Sequence, residues 1–359
     1  MSNDNNRGIL EGISTLNEWK IQELKEEVKK NNNITWFLGA GISAPFGIPL
    51  WDGLLKRMWV RLANMRLEKE LPCDEKSDDK DYNSINKIYN DFLKQNALNL
   101  CWNSKYMDIL KDALKGSNMD QFDNLNLLEF AEYINNLIKI DVGNTYKKEL
   151  HDIFLKSIIK DSLYYTYNLK DNTAVNVLAE YLIKSPIKHK TVITYNYDEI
   201  LEMALIQRDS NIRSELNIIS NNGKKEKGIN IYHVHGFLPK SKIFKDDESD
   251  SVVLTETSYE EIGNRAYSWV NNVQANAILN SVCVFLGFSG QDQNFRRILK
   301  NINVNEDIKV KYMFVTIDSY TDKSPILNKD DATEEELLFE YIQLNNYLYS
   351  QERYWEKYK

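Results

Sequence analysis

"ITWFLGAGISAPFGIPLW", residues 34–51, decides how the rest of the chain is read. A β-rich apolar run enters it, three of the chain's 14 glycines follow within nine positions, and a proline and a tryptophan leave it. A strand, a glycine-rich turn and a helix in that order place backbone N–H groups and a helix N-terminus where a phosphate can sit. Gly39-Ala40-Gly41-Ile42-Ser43-Ala44 satisfies the loose G-x-G-x-x-G/A form of the dinucleotide fingerprint, a form that a plain βα turn also satisfies. The fingerprint expects a second strand ending in an acid about 20 residues later, for the adenine ribose. This chain instead has "WVRLA" at 59–63, inside a helical pattern. An ordinary hydride-transferring dehydrogenase is therefore not expected, and without a following G-K-[ST] neither is a Walker-type ATPase.

The chain has 359 residues, which suits one large domain with an insertion, or two domains. Hydrophobic residues make up 42% and charged residues 27%, enough to bury a sizeable core. The net charge of −8 and the shortness of the basic clusters argue against direct nucleic-acid binding. The three cysteines, Cys73, Cys101 and Cys283, have no paired spacing, so a reducing cytosol and no Cys-based structural zinc site are expected. The polar opening "MSNDNNRGIL" lacks a signal peptide's apolar segment, and "VCVFLGF" (282–288) is too short to span a bilayer. A cytoplasmic location away from membranes is the expectation.

"TLNEWKIQELKEEVKKNNN" opens on a capping-box pattern and spaces its apolar residues for a helix. "DEKSDDKDYNS" (74–84) has the composition of a boundary. Residues 85–183 read as helical, with "LLEFAEYINNLIKI" and "LHDIFLKSIIKDSL" spacing apolar residues by three and four. After 186 the pattern changes. "TVITYN", "INIYHVHG", "VVLT", "VCVFLGF" and "KYMFVTID" read as strands, and the segments between them, among them "YEEIGNRAYSWVNNVQANAILN", as helical. With "ITWFLG" this predicts a Rossmann-like α/β fold, a parallel sheet of about six strands with helices on both faces. The expected domains are 1–60 joined to 185–330, a helical insertion at 61–184 and a C-terminal helix at 331–359.

Three further strand ends carry polar groups. "TVITYNYDEI" puts Thr194, Asn196 and Asp198 at alternate positions, "IYHVHGFLP" does the same with His233 and His235 before Gly236, and "FLGFSGQDQNF" holds Gly287, Ser289, Gly290 and Asp292. The carboxyl ends of parallel strands are where ligands bind. Asn196 and Asp198 could equally cap the next helix, and either histidine could be a packed core residue. His-x-His could begin a metal site, but no third and fourth ligand stands near it in the sequence.

Taken in order, "GAGISAPFGIPLW", "TYNYD", "HG" and "GFS" resemble the sirtuin superfamily: its Gly-Ala-Gly-x-Ser loop with Gly-Ile-Pro, its Thr-x-Asn-x-Asp, its His-Gly and its Gly-x-Ser. The resemblance covers roughly 1–60 and 185–320. Deacylating sirtuins carry two Cys-x-x-Cys pairs between the His and the Gly-x-Ser strand, whereas residues 236–282 here contain no cysteine. The family's Asp-Phe-Arg after Gly-Ile-Pro is replaced by Leu50-Trp51-Asp52. Zinc-less chains of this pattern with a helical insertion are similar to the sirtuin-like NAD⁺ hydrolases of prokaryotic antiphage systems.

That resemblance implies an NADase cleaving NAD⁺ to nicotinamide and ADP-ribose, the toxic effector of abortive infection, with NAD⁺ as substrate and neither cofactor nor zinc. It implies that Asn196 positions water or ribose, that His235 is the general base and that Asp198 contacts the nicotinamide amide. Gly39, Ala40, Gly41 and Ser43 would cradle the diphosphate, with Thr194, Gly287, Ser289 and Asp292 around phosphate or ribose. Phe46, Pro49 and Trp51 would close the nicotinamide side. His235 is preferred to His233 because a glycine follows it and permits close backbone approach. A zinc-less protein deacylase and a non-catalytic NAD⁺ or ADP-ribose sensor are the rival readings. An always-active NADase would kill its host, so homo-oligomers and a partner in trans, such as a HerA-type ATPase, are expected.

Overall fold

The computed structural model describes residues 21–30, 33–67, 126–142, 148–168, 173–187, 189–220, 227–244, 252–264, 268–302 and 311–314. The expected boundary at 74–84 and the C-terminal helix at 331–359 lie outside these residues. The chain divides into two compact units. The first comprises Met1–Phe46, Leu169–Phe237 and Glu261–Lys359, and the second Gly47–Asn168 and Leu238–Glu260. The divisions thus fall after Phe46 and Asn168, where the sequence suggested 60 and 184.

The first unit holds a parallel sheet of six strands: β1 (Ile34–Leu38), β2 (His189–Thr194), β3 (Leu216–Ile219), β4 (Gly228–His233), β5 (Val282–Leu286) and β6 (Lys311–Phe314). Their order is β3-β4-β2-β1-β5-β6, and every neighbouring pair is parallel. This is the Rossmann-like architecture expected. Parallel strands covered on both faces read as continuous apolar runs, and all six residues of β4 are buried. Side chains alternate across the sheet. Phe37 and Phe285 stack at 4.6 Å on the face covered by α8 (Trp269–Asn280) and α9 (Gln293–Ile302). Ile34 and Val284 face the other way, onto Leu24 and Val28 of α1 (21–30).

Two readings of the sequence are corrected. "VVLT" forms no strand: residues 252–254 run without regular structure, because the Leu254 and Thr255 amides donate to the Ser258 hydroxyl at 3.0 and 2.9 Å. Amides taken up in capping the next helix, α7 (Glu256–Asn264), are lost to a sheet ladder. The sixth strand is instead β3, whose LNII is short, only partly buried and easily missed at the sheet edge. The long helical stretch 259–280 is also two helices, with Ser268 capping α8 by accepting from Asn271 N–H.

The second unit contains α2 (Trp51–Leu67), α3 (Leu127–Val142) and α4 (Lys148–Leu163), each packed on the other two. Leu55, Met58 and Leu62, Ile134 and Ile138, and the pairs Phe154 with Ile158 and Leu155 with Ile159 recur at helical spacing and are buried. Two further helices complete the first unit's described set: α5 (Ala174–Lys184) and α6 (Ile200–Arg208), which pack together. Among the described residues no helix is long and apolar enough to cross a membrane.

Candidate active site

The strand order places β1 between β2 and β5, so the chain departs to opposite sides of β1. At such a switch point the carboxyl ends of the strands leave a crevice for a ligand. The loop after β1 lies against the loop after β5. The Gly39 N–H donates to Leu286 O at 3.1 Å and the Gly41 N–H to Gly287 O at 2.9 Å. Ile42 and Ser43 N–H groups donate back to Gly39 O and Ala40 O. A Cβ at Gly39 would stand 2.5 Å from Gly287 O, and one at Gly41 2.9 Å from the Gly287 backbone. Gly287 itself has φ +58°, and its Cβ would meet Ile42 N at 2.2 Å. The glycines therefore let two strand-end loops touch, and the amides expected to line an open cradle are largely bonded within the protein. Gly41 and Ser289 remain exposed at this junction.

Ser43 is 1% exposed and joins two residues 153 and 155 positions further on. Its hydroxyl donates to Asp198 Oδ1 at 3.1 Å and accepts from Asn196 Nδ2 at 3.1 Å. Asn196 Nδ2 also donates to Gly39 O at 3.1 Å, and its own N–H donates to Thr194 Oγ1. Ser43, Thr194, Asn196 and Asp198 thus converge, and with Glu202 and His233 they line a small cavity whose apolar walls include Leu38, Val175 and Leu201. Asp198 also accepts from Ile200 N–H at the start of α6, so the capping role weighed from the sequence is real but partial.

Burial raises the Asp198 carboxyl to about 6; the Ile200 N–H and Ser43 hydroxyl pull it down, Glu202 pushes it up and His233 pulls it down. A buried acid held this way is neutral in both folded and unfolded chains at low pH and loses stability as pH rises through about 6. Asp198→Asn is therefore expected to raise the melting temperature at pH 8, by up to about 3 kcal/mol of stability, with the gain shrinking to nothing towards pH 4. Thermal melts of both proteins across that range check it; a gain that grows on acidification would refute the assignment.

His235 lies two residues past the end of β4, on a turn that Gly236 completes at φ +102°. Its Nε2 pairs with Asp292 Oδ2 at 3.1 Å, and both side chains are 8% exposed. The other Asp292 oxygen accepts from Phe295 N–H at 2.7 Å and caps α9. The Tyr195 and His235 rings stand nearly perpendicular with centroids 5.0 Å apart, and the Tyr195 hydroxyl donates to Gln274. Burial pushes the Tyr195 phenol well up, so it stays a neutral donor. Phe288, beside Tyr195 at 4.8 Å, completes this support.

Of the remaining sequence candidates, Ala40 is half-buried in the β1 turn and Phe46 is fully buried at the end of the first unit. Pro49 and Trp51 are half-buried and belong to the second unit, Trp51 opening α2. Ser289 accepts from Gln291 N–H. Glu202, Tyr195 and Gln274 escaped the sequence reading. Glu202 had a signal, an acid on the apolar face that Ile200, Leu201, Ala204 and Leu205 bury. Among the described residues no group of three or more His, Cys, Asp or Glu could hold a metal ion.

A parallel α/β sheet with glycine loops and buried polar groups at its switch point defines a Rossmann-like, nucleotide-binding class of fold. Residues 190–343, from β2 onwards, match a family model described as a SIR2-like domain, which points to an NAD-related activity. No curated protein matches the chain. The glycine loop after β1 precedes the matched region, yet its Ser43 is bonded to Asn196 and Asp198 inside it.

Proposed function

We propose that this chain is an NAD⁺ glycohydrolase. The observation that carries the reading is that two polar residues follow register-paired strands at the carboxyl end of the sheet. Thr194 and His233 are register partners on β2 and β4, and Asn196 and His235 each stand two residues beyond them. A module that only held a nucleotide would need neither as a pair.

In this reading the diphosphate lies over the junction of the β1 and β5 loops, where Gly41 and Ser289 are exposed. The carboxamide faces the Asp198 end of the cavity. The bond between nicotinamide nitrogen and ribose breaks through an oxocarbenium-like transition state, as in glycoside cleavage. Its electron pair goes to the ring nitrogen and cancels the positive charge there, so no strong acid is needed. Water, held by Asn196, adds to the ribose carbon; its proton passes to His235 and then to solvent, leaving ADP-ribose. Asp292 orients the His235 ring, as the acid of a catalytic triad orients its histidine. His235 is taken as the base because Asp292 orients its ring just beyond the strand end and a glycine follows it, which permits close backbone approach.

Purified chain given NAD⁺ and no acyl-lysine peptide, by itself or with the proteins encoded beside it, is expected to release nicotinamide and ADP-ribose. Turnover that depends on an acyl-lysine peptide and yields O-acyl-ADP-ribose would make it a deacylase. Binding without turnover, alone and with the proteins encoded beside it, would make it a sensor module. The same assay with those neighbours, run beside a mass measurement, tests the antiphage effector reading. That reading expects an oligomer whose turnover depends on a partner such as a HerA-type ATPase; a fully active monomer would overturn it.

A further inference from the structure

Two ionisable groups that the mechanism above does not use line the cavity. His233 and Glu202 are each 1% exposed. His233 Nδ1 stands 3.0 Å from the backbone oxygen of Asn196, and its Nε2 stands 2.8 Å from Glu202 Oε1. A carbonyl oxygen only accepts, so Nδ1 carries a proton and donates it. The Nε2–Oε1 contact then needs one more proton, which either atom can hold while satisfying the other. Phe237 lies against the imidazole at 4.3 Å and restrains its plane.

The atom held by this pair matters. The Asn196 carbonyl belongs to the peptide joining Asn196 to Tyr197, so pinning its direction fixes how the chain turns between Asn196 and Asp198. On the opposite side, the Asn196 and Asp198 side chains are tied to Ser43, and the Asp198 carboxyl is tied to the first N–H of α6, the helix that carries Glu202. The turn is thus clamped between the β1 loop and the His233–Glu202 pair. Well-packed apolar residues could fill the same volume at no loss of stability. What they could not supply is a donor aimed at one carbonyl.

We propose that His233 and Glu202 are positioning residues that hold the Asn196–Tyr197 peptide so that Asn196 and Asp198 face one cavity. The functional half of this proposal rests on Asn196 acting in NAD⁺ cleavage; the structural half does not. Both line the cavity, but in this role they act through the Asn196–Tyr197 peptide and not on the substrate.

The test uses the full-length chain with His233→Leu, His233→Asn, Glu202→Leu and Glu202→Gln. Two quantities are read: kcat and KM for nicotinamide release, corrected for the folded fraction, and hydrogen exchange of the amides at 195–198. Asparagine at 233 keeps a donor near the position of Nδ1 but cannot act as a base. Glutamine at 202 keeps a partner for Nε2 without charge. His233→Leu and Glu202→Leu are expected to lose exchange protection at 195–198, with β1 and β2 still protected. kcat is expected to fall about 10²-fold with little change in KM, the size of effect a misplaced catalytic group brings. His233→Asn and Glu202→Gln are expected to keep the turn protected and to recover most of the rate.

Unchanged kcat and protection in the leucine variants would overturn the proposal, leaving a plain core pair. A protected turn with a rate as low in His233→Asn as in His233→Leu would also overturn it, and would make His233 the base. Should the leucine variants fail to fold, lost protection in His233→Asn or Glu202→Gln overturns it and retained protection supports it. A parent chain that releases no nicotinamide, alone or with the proteins encoded beside it, refutes the hydrolase reading alone, and the exchange data then decide the positioning role by themselves.

Discussion

His235→Ala is expected to lower nicotinamide release from NAD⁺ by about 10²–10⁴-fold, the range for loss of a general base, while the protein still melts cooperatively. The fold should survive because the sheet does not depend on this side chain: His235 lies beyond the end of β4, and its partner Asp292 keeps the Phe295 N–H. Asn196→Ala is expected to cost a similar factor. There the loss has two parts, the group that holds the water and the two donors that tie the turn to Gly39 O and Ser43 Oγ. Steady-state rates alongside circular-dichroism melts check both variants. A purified His235→Ala that hydrolyses NAD⁺ like the parent would remove His235 from the mechanism. A rate restored by raising the pH would show that a base is still needed and that hydroxide has replaced it.

Gly287→Ala is expected to destabilise the chain by about 2–5 kcal/mol and to abolish turnover in whatever folds. A left-handed backbone costs a non-glycine residue roughly 1–2 kcal/mol, and forcing an extra methyl into a packed contact adds about 1–3 kcal/mol. Here the methyl would stand 2.2 Å from Ile42 N and 2.7 Å from Gly41 C, both backbone atoms that cannot swing aside. Relief requires the two loops to part, which breaks the Gly41 N–H bond to Gly287 O and disturbs the Gly39 carbonyl that holds Asn196. Gly228→Ala is the matched control. That glycine has φ +101° and its Cβ would stand 2.1 Å from Glu215 O, at the opposite end of the sheet from the site. It should lose comparable stability, measured by urea unfolding, yet keep kcat per folded molecule. Equal kinetic damage from both glycines would mean that Gly287 matters only for folding.

Much of the site was legible because parallel α/β proteins concentrate polar residues at strand ends. Asn196, Asp198 and His235 stood out as polar residues immediately after apolar runs, and the runs themselves announced buried strands. The glycine loop was legible as a close approach, but what approaches could not be read. A dinucleotide and a neighbouring loop both demand missing side chains, and here the loop after β5 meets Gly39 and Gly41. Ser43 was read as a phosphate ligand from its place in the motif, whereas its hydroxyl is buried between Asn196 and Asp198. β3 and residues 252–254 were misjudged for one reason: whether a short apolar run becomes a strand depends on a ladder partner from a distant segment.

The amino-acid sequence by itself determined the class of fold and the strand ends at which polar residues gather, because hydrophobic periodicity and strand-end polarity are local properties. Only the tertiary structure decided which partners each histidine takes. His233 and His235 differ by two positions and sit in nearly identical local contexts. Their partners, Glu202 and the Asn196 carbonyl for one and Asp292 for the other, come from α6, the β2 turn and the β5 loop. A hydrogen bond between residues 31 or 37 positions apart exists only once the sheet has brought them together.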